Sequence, residues 1–183
     1  NESINITALL ESLDGLFVLA EVSGKSLYAD AALAAARWAM RRAYKGEGKF
    51  HSVYDPQTRQ FGSPGTLSGN RPRDGVPILD DGVFVKAWRL TGDRRFLDVA
   101  IGVAERLLAD EDPPGNWAAY PPNDAVSRIC HPRTAYWWGR PMWMVAKATG
   151  EERFLACARR SARWYVGAMR LDGGLFRSTG PDF

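Results

Sequence analysis

Hydrophobic residues recur along this chain at the three- and four-residue spacings of amphipathic α-helices. The clearest stripe runs from Phe96 to Leu108, and Phe154 to Val166 repeats it. The stretch from Ile6 to Val22 is apolar on more than one face, which indicates a mostly buried helix. The whole pattern predicts six helices, at about residues 6–22, 27–44, 77–90, 93–109, 134–148 and 151–168.

These helices fall into three pairs with a shared sequence pattern. In each pair a glycine marks the turn, an aromatic residue follows four positions later, small residues recur at two matching positions, and Gly-x-aromatic closes the unit. The members are Gly24, Gly92 and Gly150; Tyr28, Phe96 and Phe154; Ala32, Ala100 and Ala158; Ala36, Ala104 and Ala162; and Gly48–Phe50, Gly115–Trp117 and Gly174–Phe176. The recurrence predicts three copies of one helical hairpin, at about residues 5–60, 76–120 and 131–180, in a single domain of residues 1–183.

Long connections follow the hairpins, at residues 50–77 and 116–133, whereas the turns inside them are short. The alternation in residues 51–54 predicts a short strand in the first connection, and residues 62–75 have no periodicity. Because short turns and long connections alternate, the long connections should emerge at one end of the stack. Loops held on a rigid scaffold commonly carry binding residues, so the sequence predicts a site at that end.

Composition narrows the classes of partner. The chain has 183 residues, 45% of them hydrophobic, with a net charge of +3. Its basic residues form no single run interleaved with aromatics, so nucleic-acid binding is not expected. No apolar run approaches the roughly 18 residues that cross a bilayer, so no membrane span is expected. Two cysteines make no disulfide framework, and the compartment stays open between bacterial cytoplasm and periplasm.

The residues carried by the long connections and the helix starts suit an acidic sugar. Aromatic faces stack on the C–H surface of a pyranose, and arginine pairs with a uronate. The expected substrate-binding residues are His51, Tyr54, Trp117, His131, Arg133, Tyr136, Trp138 and Arg140. For Tyr136 and Trp138, a core role is the competing interpretation.

A family resemblance follows from these motifs. Helix pairs that turn at Thr-Gly-Asp and leave through Gly-x-aromatic resemble the six-hairpin (α/α) toroid enzymes of carbohydrate chemistry. The segment Gly48–Thr58 is similar to one in unsaturated glucuronyl and rhamnogalacturonyl hydrolases, and Leu79–Asp81 resembles the N-acylglucosamine 2-epimerase-like toroids. The Arg-Gly-Gln segment of the hydrolases is absent, and Trp138–Pro141 stands loosely in its place. The resemblance implies an all-α fold in which three tandem hairpins form a partial (α/α) toroid, with short strands in the long loops.

Three hairpins are half of six, which leaves three arrangements. A missing second half lies outside this chain, a second copy closes the ring as a homodimer, or the arc stays open. In the hydrolases an aspartate near the start of an inner helix is the general acid and base. The resemblance implies that role for Asp80 or Asp81, although acids also occur in the first turn of a helix for capping alone.

Two functional hypotheses result. The first is a glycoside hydrolase acting on uronic-acid-containing oligosaccharides, with an epimerase or lyase less favoured. The second is a non-catalytic helical-repeat module that binds a glycan or a protein, or a fragment of a larger toroid enzyme. Cys130 and His131 resemble part of the zinc site of lanthionine cyclases, but Cys157 lies on an amphipathic stripe away from the loops. No metal or other cofactor is therefore expected.

Overall fold

Helices dominate the fold. A computed structural model describes residues 3–62, 75–169 and 174, and the prediction for the segment 62–75 and the third Gly-x-aromatic exit lie largely outside them. Six α-helices occur in the described ranges: α1 (Ile6–Ser23), α2 (Ser26–Trp38), α3 (Val83–Thr91), α4 (Arg94–Ala109), α5 (Pro132–Thr149) and α6 (Glu152–Gly167). A π-helical turn, Ala39–Ala43, extends α2, and a 3-10 turn, Asp80–Gly82, leads into α3. The prediction of six helices is confirmed, but the third begins at Val83 and not at about residue 77.

The turn glycines end three of these helices as the pattern predicts. Gly24, Gly92 and Gly150 have left-handed backbones, with φ of 65°, 72° and 78°. Each donates its backbone N–H to the carbonyl four residues earlier. Glycine adopts this conformation without a Cβ penalty, which makes it the usual residue just past a helix end.

Among the residues that the structure describes, five short strands form two antiparallel sheets. In the first sheet, β1 (Ile4–Asn5) pairs with β4 (Val53–Asp55), which pairs with β5 (Gln60–Gly62). In the second, β2 (Tyr44–Gly46) pairs with β3 (Lys49–Phe50). The strand predicted in the first long connection is therefore present, and β1 adds a partner for it that the sequence pattern did not indicate.

The predicted fold class is wrong. The structure is 63% helical and also contains these antiparallel strands, a mixed arrangement that does not form three equivalent hairpins or a recognisable partial toroid. The copies differ: α1 and α5 have 18 residues but α3 has nine. The first Gly-x-aromatic exit contributes to the β2–β3 hairpin, whereas Trp117 of the second makes only an isolated bridge with Asp112. Any helix pair requires a glycine at the helix end and an apolar stripe that faces the core. The recurring residues provide these two features, and they do not specify how the pairs assemble.

The chain divides into two compact units, Asn1–Val103 and Ala104–Phe183. In the first unit, Phe84 stacks on Phe50 at 5.5 Å between ring centroids and contacts Phe96 at 6.4 Å. In the second unit, α5 and α6 pack along each other. Beside them a small core joins the preceding loop to the end of α6: Ala118, Cys130, Ala135, Trp164 and Ala168.

The expectation of a mostly buried α1 is wrong for its second half. Ile6, Leu10 and Leu13 are buried, but Val18, Leu19 and Val22 are 48%, 46% and 76% exposed. Sequence alone shows that a helix is apolar, whereas burial depends on which neighbours the fold supplies. None of the described helices is both long and apolar enough to span a membrane.

Candidate functional site

The two aspartates with a predicted catalytic role form a tight turn before α3. Asp80 is buried, with 4% exposure, and Asp81 is partly exposed. Asp81 has a left-handed backbone (φ 54°, ψ 8°) and so does Gly82 (φ 64°, ψ 31°). For a residue with a side chain this conformation costs about 1 kcal/mol, and such strain often accompanies functional sites. The turn thus holds two adjacent carboxylates in different environments.

Apolar packing fixes this turn. Ile78 and Leu79 before it, and Val83 and Phe84 after it, are each 2% exposed. Helix α1 packs against both the turn and α3. Asp14 of α1 forms an ion pair with Lys86 of α3, and both side chains are partly buried. Burial and this ion pair therefore hold the turn and the start of α3 against α1.

Four half-buried rings form a cluster in the same unit. His51 stacks on Phe61 at 4.3 Å between centroids, and Tyr54 contacts Phe61 and Trp38, each at 5.1 Å. Burial, reinforced by the positive charge of Lys45, lowers the pKa of His51 below its usual 6.5. The imidazole is consequently neutral at pH 7, and the cluster combines ring surfaces with a nearby cation.

Backbone pairing connects the ring cluster to the segment that enters the aspartate turn. Phe50, the neighbour of His51, exchanges two hydrogen bonds with Val76, at 2.8 and 3.0 Å. Gly75 is required there, because its φ is 94° and a Cβ would lie 2.5 Å from the Phe50 carbonyl oxygen. Val76 precedes Asp80 by only four residues. The backbone beside His51 is therefore anchored to the segment that leads into Asp80.

In the second unit a buried amide network orders the loop between α4 and α5. Asn116 and Thr134 are fully buried, and Asn123 is 9% exposed. Asn123 Nδ2 donates to Asn116 Oδ1 at 3.0 Å and to the Trp117 carbonyl at 2.8 Å. Asn123 Oδ1 accepts from the His131 N–H at 2.6 Å and from Thr134 Oγ1 at 3.2 Å. The sequence interpretation missed these residues, because polar side chains in a Pro-rich stretch are usually exposed.

The large rings of this loop pack inside the unit. Trp117 is fully buried and its indole donates to the Leu107 carbonyl at 2.7 Å. Trp138 is 5% exposed and contacts Trp117 and Tyr120 edge-on, at 5.2 and 5.7 Å. The Trp138 indole nitrogen is buried and makes no hydrogen bond. In this conformation Trp117 and Trp138 provide packing and no open stacking face.

The remaining predicted binding residues lie on α5. His131 caps this helix, and its Nδ1 accepts from the Arg133 N–H at 3.1 Å. The Arg133 guanidinium lies over the Trp137 ring, 3.7 Å from its centroid, a cation–π contact. Tyr136 and Arg140 line a groove of about 370 Å³ between α5 and α6. Trp143, Arg159, Tyr165 and Val166 also line it.

The structure therefore groups the predicted residues within each unit. Asp80 and Asp81 share the first unit with His51 and Tyr54. In the second unit, Trp117 and Trp138 touch, and the Asn116 side chain donates to the His131 carbonyl at 3.3 Å. Tyr136 and Arg140 share the groove, and Arg133 is engaged with Trp137.

Metal-ligating side chains do not cluster in the described ranges, where no group of three His, Cys, Asp or Glu residues could hold an ion. Cys130 and Cys157 are both buried. Burial raises the pKa of Cys130 to about 11 and that of Cys157 to about 12. Both thiols are protonated at neutral pH, whereas a metal-binding cysteine must lose its proton.

No family model matches this sequence, and no curated protein resembles it significantly.

Proposed function

We propose that this protein is a carbohydrate-active enzyme, a glycoside hydrolase that acts on uronic-acid-containing oligosaccharides through Asp80 and Asp81. The observation that carries the proposal is the aspartate turn. Two adjacent carboxylates, one buried and one partly exposed, are held on a strained backbone by four buried apolar neighbours. A strained conformation persists only where its surroundings enforce it, and catalytic turns are a common reason to retain one.

Acid–base hydrolysis assigns different roles to two carboxyl groups. One must be protonated so that it donates to the substrate, while the other is ionised and accepts a proton from the attacking water. The two carboxyl groups must therefore lie in different environments. Asp80 is buried and Asp81 is partly exposed, so their environments do differ. For an unsaturated uronide, the donated proton adds to one carbon of the enol-ether double bond, and the water oxygen adds to the other while its proton passes to the ionised carboxylate. The hemiketal so formed opens, and the resulting hemiacetal expels the neighbouring sugar, which breaks the glycosidic bond.

The ring cluster of the same unit suits the sugar. Trp38, His51, Tyr54 and Phe61 are each only partly buried, so ring surface remains open to a pyranose. Lys45 is close enough to His51 to lower its pKa. The ammonium group of Lys45 provides a charge partner for a uronate carboxylate.

The test is turnover of an unsaturated glucuronyl disaccharide, followed by the loss of the ultraviolet absorbance of its double bond. Replacing a catalytic acid or base typically costs about 10²–10⁴-fold in rate, so Asp80→Asn and Asp81→Asn should each lose at least about 100-fold in kcat. Asp98→Asn is the matched control, because Asp98 lies exposed on α4 in an ion pair with Arg94. Circular dichroism verifies that the variants fold. Unchanged turnover in both variants, or none by the wild type across a panel of uronides, contradicts the hydrolase proposal.

A non-catalytic glycan-binding module is the second candidate, and the open ring cluster favours it independently of the aspartates. Here the wild type binds an acidic oligosaccharide in calorimetry without turning it over. Tyr54→Ala then weakens binding, whereas Asp80→Asn and Asp81→Asn leave the affinity unchanged. Affinity that is insensitive to Tyr54→Ala counts against the ring cluster as the binding surface.

A further inference from the structure

Helix α1 has an exposed apolar face. Val18, Leu19 and Val22 lie on one side of the helix, because residues three and four apart are neighbours on a helix surface. They are 48%, 46% and 76% exposed. We refer to these three residues as the α1 stripe. Aliphatic side chains grouped in this way on a helix are typical of a surface that another molecule covers.

Gly15 extends the same face toward the start of α1. It lies three residues before Val18 and seven before Val22, and it is exposed. A Cβ at this position would meet no atom within 4 Å, so the fold of this chain does not require a glycine here. Glycine is unfavourable inside a helix compared with alanine, but it permits the close approach of a second backbone.

A second apolar surface lies in the other unit, along the groove between α5 and α6. Tyr136 and Trp143 of α5 are 47% and 46% exposed, and Val166 of α6 is 63% exposed. The groove has a volume of about 370 Å³, and most of its lining side chains are apolar. Grooves of this kind receive the apolar face of an amphipathic helix.

The two surfaces carry opposite charge. Helix α1 contains three acidic residues and no basic one; Asp14 is paired with Lys86 of α3, and the other two are Glu11 and Glu21. Helices α5 and α6 together contain seven basic residues and one acidic residue, and three of the seven, Arg153, Arg159 and Arg160, are paired with acids. Two of the basic residues, Arg140 and Arg159, line the groove itself. Complementary potentials of this kind select partners and steer their encounter.

We propose that the groove between α5 and α6 of one copy of this chain binds α1 of a second copy. The occupant is present in the same sequence: an acidic helix with an exposed apolar stripe and a glycine that admits close packing. The two surfaces differ, so the contact is heterologous and each chain carries one donor helix and one acceptor groove.

The test measures the mass of the full chain by sedimentation and light scattering over a range of concentrations. The wild type should associate. Val22→Asp, which damages the α1 stripe, and Val166→Asp, which damages the groove, should each raise the dissociation constant at least tenfold. Val126→Asp is the matched control: Val126 is 93% exposed and belongs to neither surface, so this variant should associate like the wild type.

Mixing the two damaged chains is the decisive step. The Val22→Asp chain keeps an intact groove and the Val166→Asp chain keeps an intact α1 stripe, so an equimolar mixture should recover a heterologous dimer. A monomeric wild type, single variants that associate normally, or a mixture that stays monomeric overturns the proposal. Association lost in Val22→Asp but kept in Val166→Asp also overturns the proposal, and indicates pairing of α1 with α1 instead.

Discussion

The surroundings of Cys157 strongly raise the pKa of its thiol. It lies fully buried on α6, and burial, with the charge of Glu111 adding to it, raises its pKa from about 9 to about 12. In the unfolded chain the same thiol ionises near its ordinary value. Between pH 9 and 12 the unfolded state therefore binds fewer protons than the folded state, so this group's contribution to stability is complete below pH 9 and is lost as pH rises toward 12.

We expect the free energy of unfolding to fall between about pH 8 and pH 10.5, with about 2 kcal/mol of the loss due to Cys157. Cys157→Ala should show a smaller decline over this interval than the wild type, measured by urea denaturation at both pH values. Equal declines in the two proteins would show that the thiol does not ionise differently in the two states.

At the scale of elements, a partly buried ion pair joins the loop after α4 to α6. The Glu111 side chain is 6% exposed, and its Oε1 accepts from Arg160 Nε at 2.8 Å and from the Gly115 N–H at 2.7 Å. Gly115 has a φ of 88°, and a Cβ there would lie 2.5 Å from the Arg160 carbonyl oxygen. The Glu111 carboxylate thus accepts hydrogen bonds from both the Arg160 guanidinium and the Gly115 amide, where the backbones of the loop and α6 approach each other closely.

Glu111→Gln should lower the free energy of unfolding by about 1–2 kcal/mol, because it removes the charge partner of Arg160, whose side chain is 36% exposed and therefore partly screened by water. Glu105→Gln is the control: Glu105 pairs with Arg153 on the surface, where an ion pair is worth about 1 kcal/mol or less. Chemical denaturation of both variants and the wild type gives the comparison. Equal losses in the two variants would mean that burial does not strengthen the Glu111 contact.

The helices could be predicted from the sequence because their signals are local. The stripe over 93–109 corresponds to Arg94–Ala109, and the stripe over 151–168 corresponds to Glu152–Gly167. Assembly is not local. The toroid expectation failed because a terminal glycine and a core-facing alanine serve any helix pair, so their recurrence carries no information on the arrangement of pairs. The pairing of β1 with β4 joins residues about fifty positions apart, beyond any short-range pattern.

The candidate site, like the fold, could be predicted from the sequence only in part. Asp80 and Asp81 were identifiable as adjacent acids before a helix, but the left-handed backbone of Asp81 was not, because Asp also fits an ordinary first helical turn. The Asn116 and Asn123 network was not identifiable at all. Its hydrogen bonds link residues 6 to 15 positions apart. Asn116 and Asn123 are buried only once these contacts bring the loop together, which no short-range pattern shows.

At the scale of the whole molecule, each compact unit carries its own proposed role. The unit Asn1–Val103 holds the aspartate turn, the ring cluster and the α1 stripe, and the unit Ala104–Phe183 holds the groove. The two proposals are therefore separable by mutation. Substitutions at Asp80 or Asp81 should leave association intact, and Val166→Asp should leave turnover per folded chain intact.

If the α1 stripe binds a second copy, the thermal stability of the protein depends on its concentration. When copies bind one another only in the folded state, mass action shifts the folding equilibrium, and each tenfold increase in concentration adds about 1.4 kcal/mol per mole of complex. The melting temperature should rise by a few degrees per tenfold increase for the wild type and stay constant for Val22→Asp, as calorimetry can measure. A concentration-independent wild-type midpoint would argue against such coupling. If the midpoint does depend on concentration, dilution alone acts as a mild denaturant of this protein.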